Sequence, residues 1–438
     1  MHIGRVTALV LAGLTLVPSP TSAQGTATAA SAQPRPGQGT DDDTIQAGEA
    51  SADEPARQLI RWNHYRGPGF TLRLGGGLLY DVAGYSQDDA AKEQFDLSPA
   101  NKVRDARLTL KGSFPKLKRQ VTFSAGFMYD GSTDEWLIRE TGVMFAVPEL
   151  FGHLFIGRTK EGFSLNKVMV GYSGWTIERS TMNDASIPIL ADGIKWLGYT
   201  PNHRWLWNVG FYGDWLSKDQ SFSTYRRQVV ARLAFLPVRS AQSGSLHVGG
   251  NFRYGKPEDG QLRFRSRPEA YPAAYFVDTG SLDAASTRML GYEVYYRNRA
   301  WLFGSEYWFT RVNSRADDEP AQIGDDPIMH GGDVVVSWLA TGETRGYNTV
   351  GGFFKSVSPA RPVVQGGPGA WEIVFRASRI DLDDGPTPGG RFWRITPMVN
   401  WHLTDNARLA LVYGYGRLHR FDLKGNTHFF QSRLQLLL

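Results

Sequence analysis

The last twelve residues, 427 to 438, constrain the fold of this chain more than any other stretch. Apolar and polar side chains alternate through them, with Leu434 and Leu436 on one parity and Gln431 and Arg433 on the other. Since successive side chains of a strand point to opposite faces, one face is apolar and the other is polar and cationic. A strand of this kind is typical of the wall of an outer-membrane β-barrel, with lipid outside and water inside.

Residues 1 to 23 have the three parts of a secretory signal peptide. Arg5 supplies the positive start, residues 6 to 17 form an apolar core, and a small-residue cleavage site ends at Ala23. This core is too short to cross a bilayer, for which about 20 apolar residues are needed. We therefore predict a cleaved signal peptide and an exported protein, against the alternative of a retained N-terminal anchor.

Residues 24 to 60 are predicted to form a disordered acidic tail. Residues 24 to 55 are rich in Ala, Ser, Thr, Gly and Pro and have almost no large apolar side chains to offset the entropy of ordering. The run Asp41-Asp42-Asp43 could chelate calcium, but it lacks the spaced oxygens and the glycine of a calcium loop. Residues 61 to 438 are predicted to form the barrel.

The alternation of the last segment recurs from about residue 69 onward. One example places Trp205, Val209 and Phe211 on one face and Asn208 on the other. The segments have the length that a tilted membrane strand needs, and their aromatic residues suit the membrane interfaces. A soluble sandwich would have shorter strands. The pattern predicts an all-β fold, a transmembrane antiparallel β-barrel of about 16 strands.

Short and long connections are expected to alternate along such a barrel. Residues 201 to 203 have the character of a short turn, whereas residues 167 to 191 form a long connection with many charged and aromatic side chains. A long connection this early in a barrel is a natural candidate to fold inward and narrow the pore. We predict that Lys160, Glu178 and Arg179 lie on this constriction loop or at its base.

Positive charge accumulates on the predicted barrel. The chain carries +5, and removing Arg5 and the net −5 of residues 24 to 55 leaves +9 on residues 56 to 438. Excess positive charge on a barrel with polar inner faces predicts a lumen that attracts anions. A nucleic-acid partner could also explain a basic chain, but no nucleic-acid-binding motif is present.

Arg263, Arg265 and Arg267 are the most suggestive constellation for an anion path. With Leu262 and Phe264 facing lipid, the three guanidiniums would point together into the lumen, about 6.6 Å apart. Guanidinium is permanently charged and binds oxyanions through paired hydrogen bonds, so a row of such groups offers an anion successive sites. Further lining candidates on polar strand faces are Arg73, Arg107, Lys111, Arg232, Arg253 and Arg376. The alternative is that these arginines form ion pairs across the wall with Asp81, Glu293, Glu306 and Glu372.

The sequence does not indicate a catalytic or cofactor site. His247 and His402 lack the spacing of a Ser-His-Asp site, and the nine histidines form no metal-binding motif. Gly75-Gly76-Gly77 lies within an alternating strand and is not followed by the Lys-Ser/Thr of a phosphate loop. Cysteine is absent, which excludes disulfides and thiolate metal sites. We predict no enzymatic activity and no metal or other cofactor.

Several motifs are shared with a known family. In the second half they are Thr341-Gly342-Glu343-Thr344-Arg345-Gly346-Tyr347, Gly369-Ala370-Trp371-Glu372, Arg376, Asp381-Leu382 and Val399-Asn400-Trp401. Earlier ones are Gly157-Arg158-Thr159-Lys160-Glu161-Gly162-Phe163-Ser164, Glu178-Arg179 and Arg267-Pro268-Glu269. Over residues 65 to 438 the chain resembles the phosphate-selective porin O and P family of bacterial outer membranes.

The resemblance implies a trimeric 16-stranded channel in outer-membrane lipid that passes phosphate-like anions through a narrow lumen lined by arginine and lysine. Channels for polyphosphate, sulfate or a dicarboxylate stay open as alternatives, as does an outer-membrane enzyme or binding protein on a plugged barrel. The chain departs from the family pattern in two places. A short acidic tail replaces an N-terminal coiled-coil-like segment, and the final residue is Leu438 and not phenylalanine.

Overall fold

The computed structural model describes residues 63–131, 134–169, 171–188, 190–213, 215, 225–240, 244–314 and 326–438. The predicted signal peptide at residues 1 to 23 and the predicted tail at residues 24 to 60 lie outside these described residues. Among the helices of the described residues, none has both the length and the apolar character needed to cross a bilayer.

Sixteen strands form the wall of the fold. The main sheet contains 19 hydrogen-bonded strands. Two of these, His64–Arg66 and Gln261–Leu262, are short additions, and two others, Glu135–Ile138 and Thr141–Val147, are parts of one interrupted wall strand. The last strand pairs antiparallel with the first, so the sheet closes on itself. The predicted all-β, antiparallel barrel of about 16 strands is confirmed.

In chain order the wall strands are Thr71–Gln87, Ala100–Ser113, Val121–Asp130, Glu135–Ile138 with Thr141–Val147, Gly152–Thr159, Ala191–Tyr199, Trp205–Gly213, Tyr225–Ser240, Gly244–Pro257, Leu282–Asn298, Trp301–Ser314, Ile328–Leu339, Ala370–Asp384, Thr387–His402, Ala407–Arg420 and Leu423–Leu437. Outside the wall, short strand pairs join Arg265–Ser266 to Val277–Asp278 and Tyr347–Asn348 to Phe353–Phe354. The α-helices are Asp89–Gln94, Leu165–Val168 and Thr181–Ser186, and the 3-10 helices are Pro148–Leu150, Gly171–Ser173 and Val363–Gln365.

The outer face of the wall is apolar, as the alternation predicts. In the last strand Phe430 and Leu434 are exposed on the outside, whereas Gln431 and Arg433 are buried inside. Pairs of tryptophans stack on the outer face near one end of the barrel, with ring centroids 5.5 Å apart for Trp301 and Trp338 and 5.0 Å apart for Trp371 and Trp401. Aromatic rings at this level are typical of the membrane interface.

The connections differ between the two ends of the barrel. At the end where the first strand begins most are short, such as residues 200–204 and 299–300, and at the other end several are long, such as residues 160–190 and 258–281. Long loops mark the extracellular end of outer-membrane barrels. Residues 340–369 break the expected alternation of short and long connections, because this long segment joins two strands at the short-turn end.

Three of these connections fold into the lumen. Residues 160–190, which we call the inward loop, enter from the extracellular end and bury Trp175 completely. The Trp175 ring lies 6.2 Å from the ring of Phe354, which belongs to the segment 340–369 entering from the short-turn end. Residues 258–281 also fold inward. The predicted inward fold of an early long connection is confirmed.

An apolar cluster occupies the lumen beside the later strands. Inward-facing Trp308 lies 5.7 Å from Phe163 of the inward loop, and Phe392 lies 5.4 Å from Phe276 of residues 258–281, measured between ring centroids. All four side chains are buried in one cluster. The expectation of inner faces that are polar throughout is therefore wrong on this side of the barrel. Residues that face inward here contact loop residues instead of water.

We predict that a charge on the outer face destabilises the barrel in proportion to its depth in the bilayer. Val334, 55% exposed at the centre of its strand, gives the sensitive position. Val334→Arg should lower the free energy of unfolding in lipid vesicles by about 2–4 kcal/mol. Ser86→Arg, near the extracellular end of the first strand, is the control and should cost about 1 kcal/mol or less. Equal losses, measured by denaturant titration of tryptophan fluorescence, would contradict a lipid-facing surface.

Candidate functional site

A small polar cavity, about 40 Å³ in volume, lies between the inward loop and the inner faces of the first, second and last wall strands. We call its lining the arginine chamber, formed by Leu79, Arg104, Asp105, Arg107, Asn166, Met169, Gly171, Gly174, Thr176, Ile177, Glu178, Arg179 and Arg433. The lining has four arginines and two carboxylates, and Asp81, which pairs with Arg433 just behind the lining, reduces the local excess to one positive charge. In a lumen with low-dielectric walls such an excess attracts anions.

Two different features of the wall bring arginines into the chamber. Arg107 and Arg433 face inward through the regular alternation of their strands. Arg104 does so through a β-bulge, because Leu79 pairs with Asp105 whereas the next residue of the first strand pairs with Val103. A bulge re-aims the side chain of the extra residue. The guanidinium of Arg104 consequently points towards the inward loop.

Glu178 of the inward loop is the central anion of the chamber. Arg104 donates to it through two bonds, with Nε 2.8 Å from Oε1 and Nη2 3.2 Å from Oε2. Arg433 also donates to Glu178, and it binds Asp81 through Nε at 2.5 Å and Nη2 at 2.6 Å. Burial raises the pKa of Glu178, but Arg104 and Arg433 together lower it below its ordinary value. Glu178 therefore stays ionised and fixes the loop to the wall.

Arg179, next along the loop, has a different set of partners. Its Nε donates to the carbonyl of Asn166 at 3.0 Å, and its Nη2 donates to the carbonyl of Met169 at 3.3 Å. Among the described residues, no carboxylate lies within ion-pair distance of Arg179. Burial lowers the pKa of Arg179 to about 10; the charge of Glu178 opposes this shift and nearby arginines such as Arg104 add to it, so the group remains charged at neutral pH. It contributes a positive charge that no ion pair in the described chain offsets.

Other predicted lining residues lie on the same side of the lumen. Arg73 and Lys111 are directly opposite each other on the first two strands, and both are partly exposed. The guanidinium of Arg107 lies 4.4 Å from the ring centre of Tyr172, and Arg107 pairs with Asp105 at 2.7 Å. Lys160 is at the base of the inward loop and donates to the carbonyl of Met169 at 3.0 Å. The structure thus places the predicted wall cation Arg107 beside the predicted loop residues Glu178 and Arg179.

The row Arg263, Arg265 and Arg267 is located on the extracellular connection 258–281 and not on a wall strand. Arg263 is half exposed and binds Asp278 at 2.7 Å, whereas Arg265 and Arg267 stack over Tyr275 with guanidinium-to-ring distances of 4.3 and 4.2 Å. The expectation that Leu262 and Phe264 face lipid is wrong, because both are only 2% exposed and belong to the apolar cluster in the lumen. The alternation of apolar and charged residues in this segment belongs to a short strand pair in a loop, and the sequence pattern does not distinguish it from a wall strand.

Arg232, Arg253 and Arg376 point inward as predicted, but each is buried and bound to an inward-folded segment. Arg232 donates to the carbonyl of Gly352 at 2.6 Å and pairs with Glu293. Arg253 donates to the carbonyl of Ser186 at 2.7 Å. Arg376 donates to the carbonyl of Glu178 at 2.7 Å and pairs with Glu269. These three arginines hold the segments in place. The alternative of pairing across the wall is observed for Arg232 with Glu293.

Sequence reasoning missed Arg104, Arg139 and Arg433 as lumen cations. Arg433 could have been found, since it lies on the polar parity of the last strand. Arg104 lies at a β-bulge, where the alternation of inward and outward side chains is interrupted. Arg139 lies in the break between Glu135–Ile138 and Thr141–Val147. Within the described residues, no group of three or more His, Asp or Glu side chains is arranged to hold a metal ion.

Comparison with known proteins identifies the family. Residues 72–437 match the model of the family described as phosphate-selective porin O and P. An uncharacterized protein of Caulobacter vibrioides is 27% identical over 176 residues, which are 39% of this chain and 33% of that protein. The chain thus spans about a third of the length of the curated relative that it matches.

Solved structures share the fold at low sequence identity. The outer membrane channel DcaP of Acinetobacter baumannii superposes with a TM-score of 0.52 at 11% identity, covering 85% of this chain and 99% of that one. Salmonella typhi OmpF, in complex with daunomycin, superposes with a TM-score of 0.52 at 9% identity, covering 86% of this chain and all of that one. The family match and the closed barrel indicate an outer-membrane location and a channel fold. The chain belongs to the phosphate-selective porin O and P family.

Proposed function

We propose that this protein is an outer-membrane porin for passive, anion-preferring diffusion of phosphate or similar oxyanions, with no chemical step. The observation that supports it best is the arginine chamber, in which positive charges outnumber carboxylates between the wall and the inward loop. An oxyanion entering this space meets guanidiniums that can bind it through paired hydrogen bonds. Arg179, whose described partners are all carbonyl oxygens, is the strongest candidate for direct contact.

Assembly and export are part of the same proposal. We expect a homotrimer surrounded by outer-membrane lipid, as implied by the family, and delivery through the signal peptide predicted at residues 1 to 23. Inorganic phosphate or a related anion is the expected partner, and no cofactor is expected. Arg73, Arg107 and Lys111 are proposed to guide anions to the chamber along the first two strands.

A second candidate is a binding protein on a plugged barrel. The apolar cluster in the lumen favours it, since Trp308, Phe392 and their loop partners fill space that an open channel would leave to water. This reading predicts no conductance in planar bilayers. The channel reading predicts small, stable conductance steps, because inward-folded segments occupy much of the lumen.

The main test is single-channel recording across a potassium chloride gradient. We expect a reversal potential with the sign of chloride selectivity, because the chamber carries an excess of positive charge. Added inorganic phosphate should then reduce the chloride current by competing for the same guanidiniums. A cation-selective reversal potential would reject the anion preference. Chloride current that phosphate leaves unchanged, with sulfate or a dicarboxylate blocking instead, would reassign the substrate.

Arg179→Gln should weaken anion selectivity. Removal of one charge without an ion-pair partner is expected to reduce the chloride-to-potassium permeability ratio several-fold, equivalent to roughly 1 kcal/mol at the constriction. Arg391→Gln is the matched control, since Arg391 is exposed on the outer face and pairs with Asp381 and Asp383. The same change in both variants would show that Arg179 has no special role in conduction.

Arg376→Met should loosen the inward loop. The variant leaves buried Glu269 without its partner, a loss of about 3–5 kcal/mol for a buried ion pair, and it removes the bond to the carbonyl of Glu178. We expect larger and noisier conductance steps and a lower midpoint of thermal unfolding. Arg379→Met, on the same strand but 59% exposed outside, is the control and should leave both unchanged. Unaltered conductance in Arg376→Met would show that the loop does not depend on this contact.

A further inference from the structure

A row of cations lies on the outer face of four neighbouring wall strands. Each of these strands has an apolar outer face and, above it at the extracellular end, an outward-facing cation. We call these four residues the outer cation row: Arg227, Lys256, Arg288 and Arg311. All four are exposed and share the parity of exposed apolar residues on their own strands, such as Leu290 below Arg288. The row therefore lies at the level where the lipid headgroups of the outer leaflet begin.

The register sets like charges directly against each other in this row. Arg227 is opposite Lys256, and Arg288 is opposite Arg311. Like charges on directly opposed residues destabilise a sheet. Arg311 binds Asp326 at 3.0 Å, but no described carboxylate forms an ion pair with Arg227, Lys256 or Arg288. An anion that bridges the row would remove this repulsion.

An apolar groove runs along the same outer face directly below the row. Its outer lining includes Val209, Leu233, Phe252, Leu290, Tyr292 and Phe309. The groove exists because Gly250, between Leu233 and Tyr292 in the register, has no side chain. A Cβ atom added to Gly250 would come no closer than 4.0 Å to the nearest protein atom, the carbonyl oxygen of Gly291. The surface over Gly250 is therefore open on the outer face.

We propose that this outer face is a binding site for a phosphorylated, multi-acyl lipid of the outer leaflet. Its phosphates would bridge the outer cation row, and one acyl chain would lie in the groove over Gly250. Arginine binds phosphate through paired hydrogen bonds, and clustered cations at the headgroup level favour anionic lipids. Free phosphate would use the row but not the groove, so the two features together favour a lipid. The proposal depends on the outer-membrane location and not on what the lumen conducts.

Other outward-facing arginines at the extracellular end form ion pairs with carboxylates of the protein. Arg391 binds Asp381 at 3.1 Å and Asp383 at 3.2 Å, and Arg379 binds Asp381 at 3.2 Å. These arginines have their counter-charges within the protein. The outer cation row differs because three of its four members have no described counter-charge, and because a groove lies beneath it.

The test is binding of diphosphorylated lipid A to the full-length purified protein in a neutral detergent, measured by native mass spectrometry. The variants are Arg288→Gln with Arg311→Gln, which removes half of the row, and Gly250→Leu, which fills the groove. Arg391→Gln is the matched control. Circular dichroism and resistance to unfolding in dodecyl sulfate verify that each variant retains the barrel. Phosphatidylcholine and inorganic phosphate are the competing probes.

We expect about tenfold weaker lipid A binding in the double variant, because two paired guanidinium–phosphate contacts are lost. Gly250→Leu should also weaken binding several-fold while Arg391→Gln binds as the unmodified protein does. Neither phosphatidylcholine nor inorganic phosphate should displace lipid A. Equal binding by all variants, an equal loss in Arg391→Gln, or displacement by inorganic phosphate alone would overturn the proposal. Dissociation of an oligomer by the double variant, with lipid A binding unchanged, would assign the face to a second copy and also overturn it.

Discussion

Hydrocarbon offers no hydrogen-bond partner to a backbone amide or carbonyl, so a sheet in a membrane must close on itself. In this chain the closure joins the last strand to the first over eleven residue pairs, from Gly77 with Leu437 to Gln87 with Thr427. The seam is also held by side chains, since Arg433 of the last strand binds Asp81 of the first. Everything else in the structure is arranged inside or outside this closed wall.

A wall of this size encloses more space than inward side chains can fill, and three connections occupy part of it. Each one brings backbone groups into an interior with little water, where those groups need partners. Glu293 accepts from the amide of Leu165, Arg408 donates to the carbonyl of Gly174, and Asn400 donates to the carbonyl of Trp175. Many inward charges therefore serve the backbone of the loops. The number of arginines in the lumen is not the number of anion sites.

The arginine chamber is a polar cavity that this packing leaves between the inward loop and the first, second and last wall strands. Its shape depends on Glu178, which binds wall residues Arg104 and Arg433 and so fixes the distance between loop and wall. Its charge depends on Arg179, which is held by carbonyl oxygens and keeps a net positive field. These two adjacent loop residues thus have different partners. The carboxylate of Glu178 binds wall arginines and positions the loop, whereas the guanidinium of Arg179 is bound by carbonyl oxygens.

The sequence by itself determined the barrel fold, an approximate strand number and the apolar exterior, because the alternation of side chains shows which residues share a face. It also predicted the inward position of the loop that carries Glu178 and Arg179, and motifs far apart in the chain do meet, as Arg345 and Glu372 show. Only the tertiary structure decided what each face contacts. Leu262 alternates with its neighbours as a lipid-facing residue would, but it packs inside the lumen, and Arg104 enters the chamber through a bulge. The alternation shows that a strand has one apolar and one polar face. Whether the apolar face contacts lipid or an inward-folded segment depends on the tertiary structure.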